Sequence, residues 1–235
     1  MPARSARMPL LVALAVYHSG AWSAAQLNPT DWPQFRGPGG QGSSAARGVP
    51  IIWSAEKGVR WKAALPGAGA SSPIVVGDRV YVTAYSGYGL PDQPRGEISQ
   101  LRRHLLCLSL ANGAVLWKAD VPAALPESQS VREHGYAAST PVSDGERVYV
   151  FFGKSGVFAF SKEGRQLWRA SVGSQHHEWG SAASPILYRN LLIVNASVES
   201  ESLVALDKST GTVKWRAGGI KESWNTPILV PVGGK

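Results

Sequence analysis

The run Ala205-Leu206-Asp207-Lys208-Ser209-Thr210-Gly211-Thr212-Val213-Lys214-Trp215 constrains this chain more than any other stretch. It reads as a strand, a tight turn and a second strand that ends in Trp. Leu203 to Leu206 is apolar and Asp207 to Gly211 carries turn chemistry, with Gly211 free to take a positive φ. Thr212 to Trp215 then returns to β-formers. The pattern occurs again as Cys107-Leu108-Ser109-Leu110-Ala111-Asn112-Gly113-Ala114-Val115-Leu116-Trp117. A copy one residue shorter runs Ala159-Phe160-Ser161-Lys162-Glu163-Gly164-Arg165-Gln166-Leu167-Trp168. One hairpin repeated along a chain predicts a repeat architecture, and that decides the fold before composition does.

A second unit precedes each hairpin. Ser72-Pro73 opens two apolar stretches around the turn Gly77-Asp78, Thr140-Pro141 does the same around Asp144-Gly145, and Ser184-Pro185 around Arg189-Asn190. Pro suits the first residue of a strand, where no ladder donor is lost. Another copy begins at Thr226-Pro227-Ile228-Leu229-Val230. Each repeat is therefore four antiparallel strands, A to D, and four-stranded sheets recurring about every 40 residues are propeller blades.

The run from Ala205 to Trp215 matches every fixed position of the Ala-x-Asp-x-x-Thr-Gly-x-x-x-Trp motif, and so resembles the pyrroloquinoline quinone (PQQ) type propeller repeat. The resemblance covers roughly 58 to 230. Asp31-Trp32-Pro33-Gln34-Phe35-Arg36-Gly37-Pro38 is also similar to the opening of exported members of that family. It implies an all-β, partial eight-bladed β-propeller, in a family that holds quinoprotein dehydrogenases and non-catalytic propellers such as the outer-membrane-assembly lipoprotein. Ser109 and Asn112 depart from the motif, and the middle copy lacks a residue, but turn chemistry and Trp are kept. The repeat's name does not imply that the cofactor binds.

The layout predicts a signal peptide over 1–25, with Arg4 and Arg7 ahead of a short apolar core and small residues before Gln26. The core is too short to span a bilayer, and no Cys near the cleavage point offers a lipid anchor. A Sec-type route to the periplasm or the outside is expected. A Gly/Pro-rich arm follows over 26–57, pinned by Trp32 and Phe35. Residues 58–63 read as a D strand without its A, B and C, a closing strand for the last blade of a ring. Blades are expected at 71–118, 139–169 and 183–216, with the next starting over 225–235; about three and a half blades predict a fragment whose missing blades belong to a longer chain.

The formal charge is +8, but the basic residues are scattered, so a solvated surface is expected and no nucleic-acid partner. The single Cys107 lies in an apolar strand, where a small buried role suits it. It also excludes the adjacent-cysteine disulfide found beside the quinone in many members of the resembling family.

Trp61, Trp117, Trp168 and Trp215 are expected to dock blade on blade, since burying ~200 Å² of indole is worth about 5 kcal/mol as an upper figure. Strand alternation puts the B–C and D–A loops on one face of the disc, together with the long insertion 84–103. The D–A loops bring His134 and Tyr136; His176, His177, Glu178 and Trp179; and Glu222, Trp224 and Asn225 to the channel mouth. Ordinary surface roles, metal binding or acid–base work by His and Glu, and ligand recognition by Tyr136, Trp179 and Trp224 all remain open there. Neither a helical His spacing nor another standard ligand set is present. An exported, non-catalytic binding or scaffolding module with a protein or carbohydrate partner on this face is the expectation. The alternative is a PQQ- and calcium-dependent dehydrogenase acting on an alcohol or sugar, whose ligand set and Asp base no stretch identifies.

Overall fold

The computed structural model describes residues 27–131 and 134–230. Its strands form three separate four-stranded sheets, each ordered as it runs in the chain. The first holds Ile74–Val76 (β1), Arg79–Ser86 (β2), Arg102–Ser109 (β3) and Val115–Pro122 (β4). The second holds Val142–Ser143 (β5), Arg147–Phe151 (β6), Val157–Ser161 (β7) and Gln166–Ala170 (β8). Ile186–Tyr188 (β9), Leu191–Ala196 (β10), Ser202–Asp207 (β11) and Val213–Gly218 (β12) make the third. All pairings within the three sheets are antiparallel. The one α-helix described is the single turn Ser197–Ser200 (α1), between β10 and β11. This is the all-β, partial propeller that the Pro-to-Trp repeat predicts.

Alternating strand residues face the neighbouring blade, and the core lies between sheets. Tyr81, Leu105 and Cys107 of the first blade pack with Val148, Val150 and Phe160 of the second. Tyr149, Phe151 and Trp168 of the second pack with Leu192, Val204 and Leu206 of the third. Cys107 is fully buried and unpaired.

The hairpin motif acts across blades. Trp117 Nε1 donates to the Lys162 carbonyl at 2.8 Å, and Trp168 Nε1 donates to the Lys208 carbonyl at 3.1 Å. Lys162 and Lys208 hold the same place in successive C–D turns. The glycine of the receiving turn lies against the indole: a Cβ on Gly164 would stand 2.7 Å from Trp117, and one on Gly211 2.6 Å from Trp168. The motif glycine therefore serves twice, for its positive φ of 88° or 75° and for the room it leaves. Each docking Trp sits beside a register shift in the C–D pairing, at Cys107/Leu108, Ala159/Phe160 and Ala205/Leu206, a bulge that twists the outer strand.

Of the four expected docking tryptophans, Trp61 docks without the strand expected around it, and Trp215 does not dock. Residues 58–63 form no strand; Trp61 nonetheless makes the same contact, donating to the Leu110 carbonyl at 2.9 Å and leaving a Cβ on Gly113 only 2.4 Å away. Without a sheet beside it, this segment has no ladder to join. Trp215 keeps the register of the others but is 39% exposed, because no receiving turn stands beside it among the described residues.

The inner ends are tied by hydroxyls of the residues before each Pro. Ser72 N donates to Thr140 Oγ1, Thr140 N to Ser184 Oγ and Ser184 N to Thr226 Oγ1, each at 3.0 Å. Thr226 thus continues the repeat, although 226–230 form no strand, and 231–235 lie outside the described residues. The N-terminal arm crosses these inner strands: Trp32 exchanges backbone hydrogen bonds with Val75 at 2.7 and 3.0 Å, and the Pro33 carbonyl accepts from Ser143 N. Asp31 is buried, its carboxylate accepting from Gly77 N at 2.9 Å. Phe35 lines a recess with Ile186 and Pro227. The expected signal peptide lies outside the described residues.

Candidate functional site

The B–C and D–A loops gather on one end of the blades, and the candidate residues separate there into an exposed group and a buried one. His177, Trp179 and Trp224 come together: ring centroids are 6.1 Å apart for His177–Trp179, 5.2 Å for His177–Trp224 and 5.0 Å for Trp179–Trp224. Two successive D–A loops supply them. The Trp224 indole donates to the Gly180 carbonyl at 2.8 Å, which fixes one loop on the other. Ser128 Oγ donates to the His177 carbonyl at 2.9 Å, and His177 Nδ1 accepts from Trp179 N at 3.1 Å. Trp179 stays 40% exposed, Trp224 is half-buried, and Glu222 stands 3.9 Å from His177 Nε2. Together they form an aromatic platform with one imidazole and one carboxylate at its edge.

The other predicted residues lie elsewhere. His176 and Glu178 are exposed and outside the ring contacts; Asn225 is exposed, and its backbone carbonyl accepts from Asn195 Nδ2 at 2.9 Å. Tyr136 is not on the platform. It is 7% exposed, gives its hydroxyl to the Ser128 carbonyl at 2.7 Å and packs edge-to-face on Tyr85. Its aromatic body is worth more in the core than in water. His134 is half-buried near Val131 and Gly180, with Nε2 buried and unpartnered among the described residues. No group of three or more His, Cys, Asp or Glu among the described residues is placed to hold a metal ion.

Sequence reasoning missed a set of buried polar groups at this end of the blades. Arg103 of β3 donates to the Tyr136 carbonyl (2.9 Å), to Ser155 Oγ (3.1 Å) and to Glu127, with which it forms a 2.5 Å ion pair. Both side chains are under one-tenth exposed. Glu199 of α1 is 2% exposed; its Oε1 accepts from Ser181 Oγ, and its Oε2 has no partner among the described residues. Burial pushes the Glu199 carboxyl up to about 7 against the opposing Ser181 bond. The Glu127 and Arg103 charges also reach Glu199, the first raising and the second lowering its pKa. Arg103 sits in the basic run Arg102-Arg103-His104, and Glu199 within Ser-Val-Glu-Ser, so neither announced itself as buried.

A second unforeseen arrangement runs across the first blade. Ser86 Oγ and His104 Nε2 are 2.7 Å apart, and His104 Nδ1 and Asp120 Oδ1 are also 2.7 Å apart. This order of groups matches a nucleophilic relay. Here it joins three consecutive strands through a histidine that is 2% exposed, and none of the recesses described opens on Ser86. It serves as a staple across β2, β3 and β4. Asp120 is held below the ordinary carboxylate range: slight burial acts against this, and the bonds from His104 and Lys118 outweigh it.

Comparison with known proteins gives the family. The family model described as outer membrane protein assembly factor BamB matches residues 86–225, more than half of the chain. A polyvinylalcohol dehydrogenase of Pseudomonas sp is 26% identical over 176 residues, covering 67% of this chain and 24% of that protein. The outer membrane protein assembly factor BamB of Burkholderia pseudomallei (strain K96243) is 26% identical over 169 residues, covering 71% of this chain and 33% of that protein. The chain thus spans a quarter to a third of the length of these curated relatives. Among solved structures, quinohemoprotein alcohol dehydrogenase ADHIIG of Pseudomonas putida HK5 superposes with a TM-score of 0.55 at 19% identity, over 80% of this chain and 26% of that one. The enzyme of Comamonas testosteroni gives 0.55 at 15%, over 80% and 27%. These likenesses establish the shared fold. With its repeat, its blades and a family match over most of them, the chain belongs to the BamB-like family of PQQ-type propellers.

Proposed function

We propose that this protein is an exported, non-catalytic binding or scaffolding module that takes a protein or carbohydrate partner on its long-loop face. The observation that carries the reading is the platform itself. In a chain that packs Trp168 to 9% exposure, Trp179 remains 40% exposed within 5.0 Å of Trp224, held there by hydrogen bonds between loops. Aromatic faces beside a few polar groups give contact area, and His177 and Glu222 give direction. The opposite end is closed by internal bonds: Lys208 Nζ pairs with Asp144 at 2.9 Å, and the same carboxylate accepts from Tyr149. No helix among the described residues is long and apolar enough to cross a membrane. Trp179→Ala and His177→Ala should weaken capture of the partner with little change in melting temperature, while Glu146→Ala should do neither. A partner mapped by crosslinking to Asp78 and Glu146 overturns the assignment.

The second reading, a quinoprotein-dehydrogenase-like oxidoreductase, draws on the similarity to the polyvinylalcohol dehydrogenase. It requires PQQ and a calcium ion with carboxylate and amide ligands. The described residues converge on no such acidic set, so no step is assigned to either group. Reconstitution with PQQ and Ca²⁺ followed by an assay for dye-linked alcohol or sugar oxidation separates the readings.

A further inference from the structure

The helical turn α1 is bonded to both D–A loops that supply the platform. The Glu199 backbone carbonyl accepts from Ser174 N at 3.0 Å and from Gln175 N at 3.1 Å. Its side chain accepts from Ser181 Oγ at the far end of the same loop. Ser197 holds the other loop, its Oγ donating to the Ser223 carbonyl at 2.5 Å and accepting from Ser223 N at 3.0 Å. The anchors lie beside the platform rings: Trp179 comes shortly before Ser181, and Trp224 directly follows Ser223. A single helical turn does not persist by itself in water. The turn and the two loops therefore hold one another in place.

Glu199 is the sensitive member of this arrangement. It is buried, and its Oε2 has no partner among the described residues. Gly153 packs against the Glu199–Ser181 pair: a Cβ there would stand 2.7 Å from Ser181 Oγ and 3.2 Å from Glu199 Oε1. A neutral acid is tolerated in such a place, but a carboxylate is short of the donors that a buried charge needs. Among the charges on neighbouring elements, Glu127 opposes ionisation, and Arg103, which favours it, is already paired with Glu127. Lys154 Nζ donates to the Pro126 carbonyl, Arg216 donates to the Val172 carbonyl and to Ser200 Oγ, and Glu201 pairs with Lys221. His134, close to Gly180, is the remaining titratable neighbour on this side among the described residues. None of them bonds Oε2.

We propose that Glu199 is a pH-operated clasp on the platform: protonated, it holds the Trp179 loop against α1, and ionised, it turns to water and lets that loop part. The break comes here because the segment is the least supported at this end. Residues 174–176 and 178–179 are exposed around their anchors, and α1 has no length to resist. When Ser181 is released, Gly180 moves with it, and the Gly180 carbonyl is the acceptor that fixes Trp224 on the neighbouring loop. High pH thus loosens the two indoles from one another, and low pH sets them. That the clasp regulates binding rests on the reading of the platform as a binding surface. The clasp itself is tested on the free protein, so the two can fail separately.

The test is hydrogen exchange at the Trp224 indole N–H, read by NMR on the full chain with isotope-labelled tryptophan and assigned through Trp224→Phe. Protection is taken relative to the intrinsic rate at each pH. With the carboxyl at about 7 in the closed form and an ordinary 4.5 in water, wild-type protection should fall about fiftyfold between pH 5 and pH 8. At pH 8 it should not respond to urea up to about 1 M, since a local opening exposes little surface. Glu199→Gln should keep protection constant within about twofold over the same range. His177→Gln removes the imidazole that touches both indoles and should still show the wild-type fall. A wild-type fall under about fivefold, an equal fall in Glu199→Gln, or loss of the fall in His177→Gln each overturns the proposal. So does a urea response at pH 8 as steep as that of global unfolding. Partner capture that survives Trp179→Ala would instead overturn the platform reading and leave the clasp standing.

Discussion

Glu199 gives the sharpest quantitative test of the fold as described. Its carboxyl is 2% exposed, with one oxygen bonded to Ser181 and the other unpartnered among the described residues. The groups around it are Ser181 on the D–A loop and, further off, the Glu127 and Arg103 charges, of which Glu127 raises and Arg103 lowers its pKa. In the folded chain it titrates at about 7, against an ordinary 4.5. The folded form therefore holds its proton more tightly than the unfolded form. Stability from this group is complete below pH 4.5 and is lost as pH rises through 7. The difference of 2.5 units between those values, at ~1.4 kcal/mol each, makes the loss about 3 kcal/mol by pH 9.

Glu199→Gln removes the titration and keeps the shape and the acceptor for Ser181. Near pH 5 wild type and variant should have similar stability. Near pH 9 the variant should be more stable by about 3 kcal/mol, or roughly 6–12 °C in Tm for a chain of this size. Urea melts at half-unit steps from pH 5 to 9 read this directly: the wild-type curve falls with pH and the variant curve is flatter by that amount. Parallel curves would show that Glu199 is solvated or paired in solution, and the buried polar set as described would then be wrong.

The remaining predictions concern the repeat and the face. Trp168→Ala should cost ~3–5 kcal/mol in urea unfolding, as large-to-small core changes do, whereas Trp215→Ala, with no receiving turn, should cost under about 1 kcal/mol. Gly211→Ala should destabilise by more than ~1 kcal/mol, since it meets both Trp168 and a positive φ; a neutral result counts against the docking geometry. Mass spectrometry of exported protein should find the chain starting at Gln26, and intact Met1 to Ala25 refutes the expected signal.

The blade strands were legible because two signals coincided. The repeated Pro-led and Trp-ended apolar stretches placed the strands, and turns such as Gly77-Asp78, Asp144-Gly145 and Asn112-Gly113 separated them, so the observed strands fall within the expected blades. The repeat places the corresponding strands near 79–83 and 114–118; β2 and β4 run further, to Ser86 and Pro122, because the insertion lets the first blade's ladder continue. Residues 58–63 look like a strand locally, but a strand exists only with a partner. Trp215 carries the same sequence mark as Trp168, and its exposure depends on a neighbour that the motif does not encode. Among the site residues, composition found His177, Trp179 and Trp224 on their loops but could not separate them from Tyr136. That distinction is set by Tyr85 and Tyr88, far away in sequence. Arg103, Glu127 and Glu199 were illegible for a related reason: a charge inside is recognised only through its partners, and those come from different blades.

The repeats also divide the molecule by task. At the turn end, the blades are alike: Trp61, Trp117 and Trp168 each reach a carbonyl at one fixed place in the next turn, over a glycine. Such sameness is what packing requires, since each blade must accept its neighbour with the same geometry. At the loop end the hydroxyl ties before each Pro recur, but the side chains around them do not. The first blade carries the long insertion between β2 and β3 and the Ser86–His104–Asp120 staple; the third carries α1 with Glu199, and the platform lies between loops of unequal length. In the B strands, Thr83 and Asn195 occupy matching positions and both bond carbonyls of the following D–A loop, through a hydroxyl at 3.2 Å in one and an amide at 2.9 Å in the other. Their counterpart Phe151 makes no such bond and packs into the core instead. Even the latches differ from blade to blade at this end. Side chains that depart from the repeat are not explained by stacking alone, and they concentrate where the platform stands. Binding is therefore expected at the loop end for a reason independent of the aromatic count: it is the end that the repeat leaves free to vary.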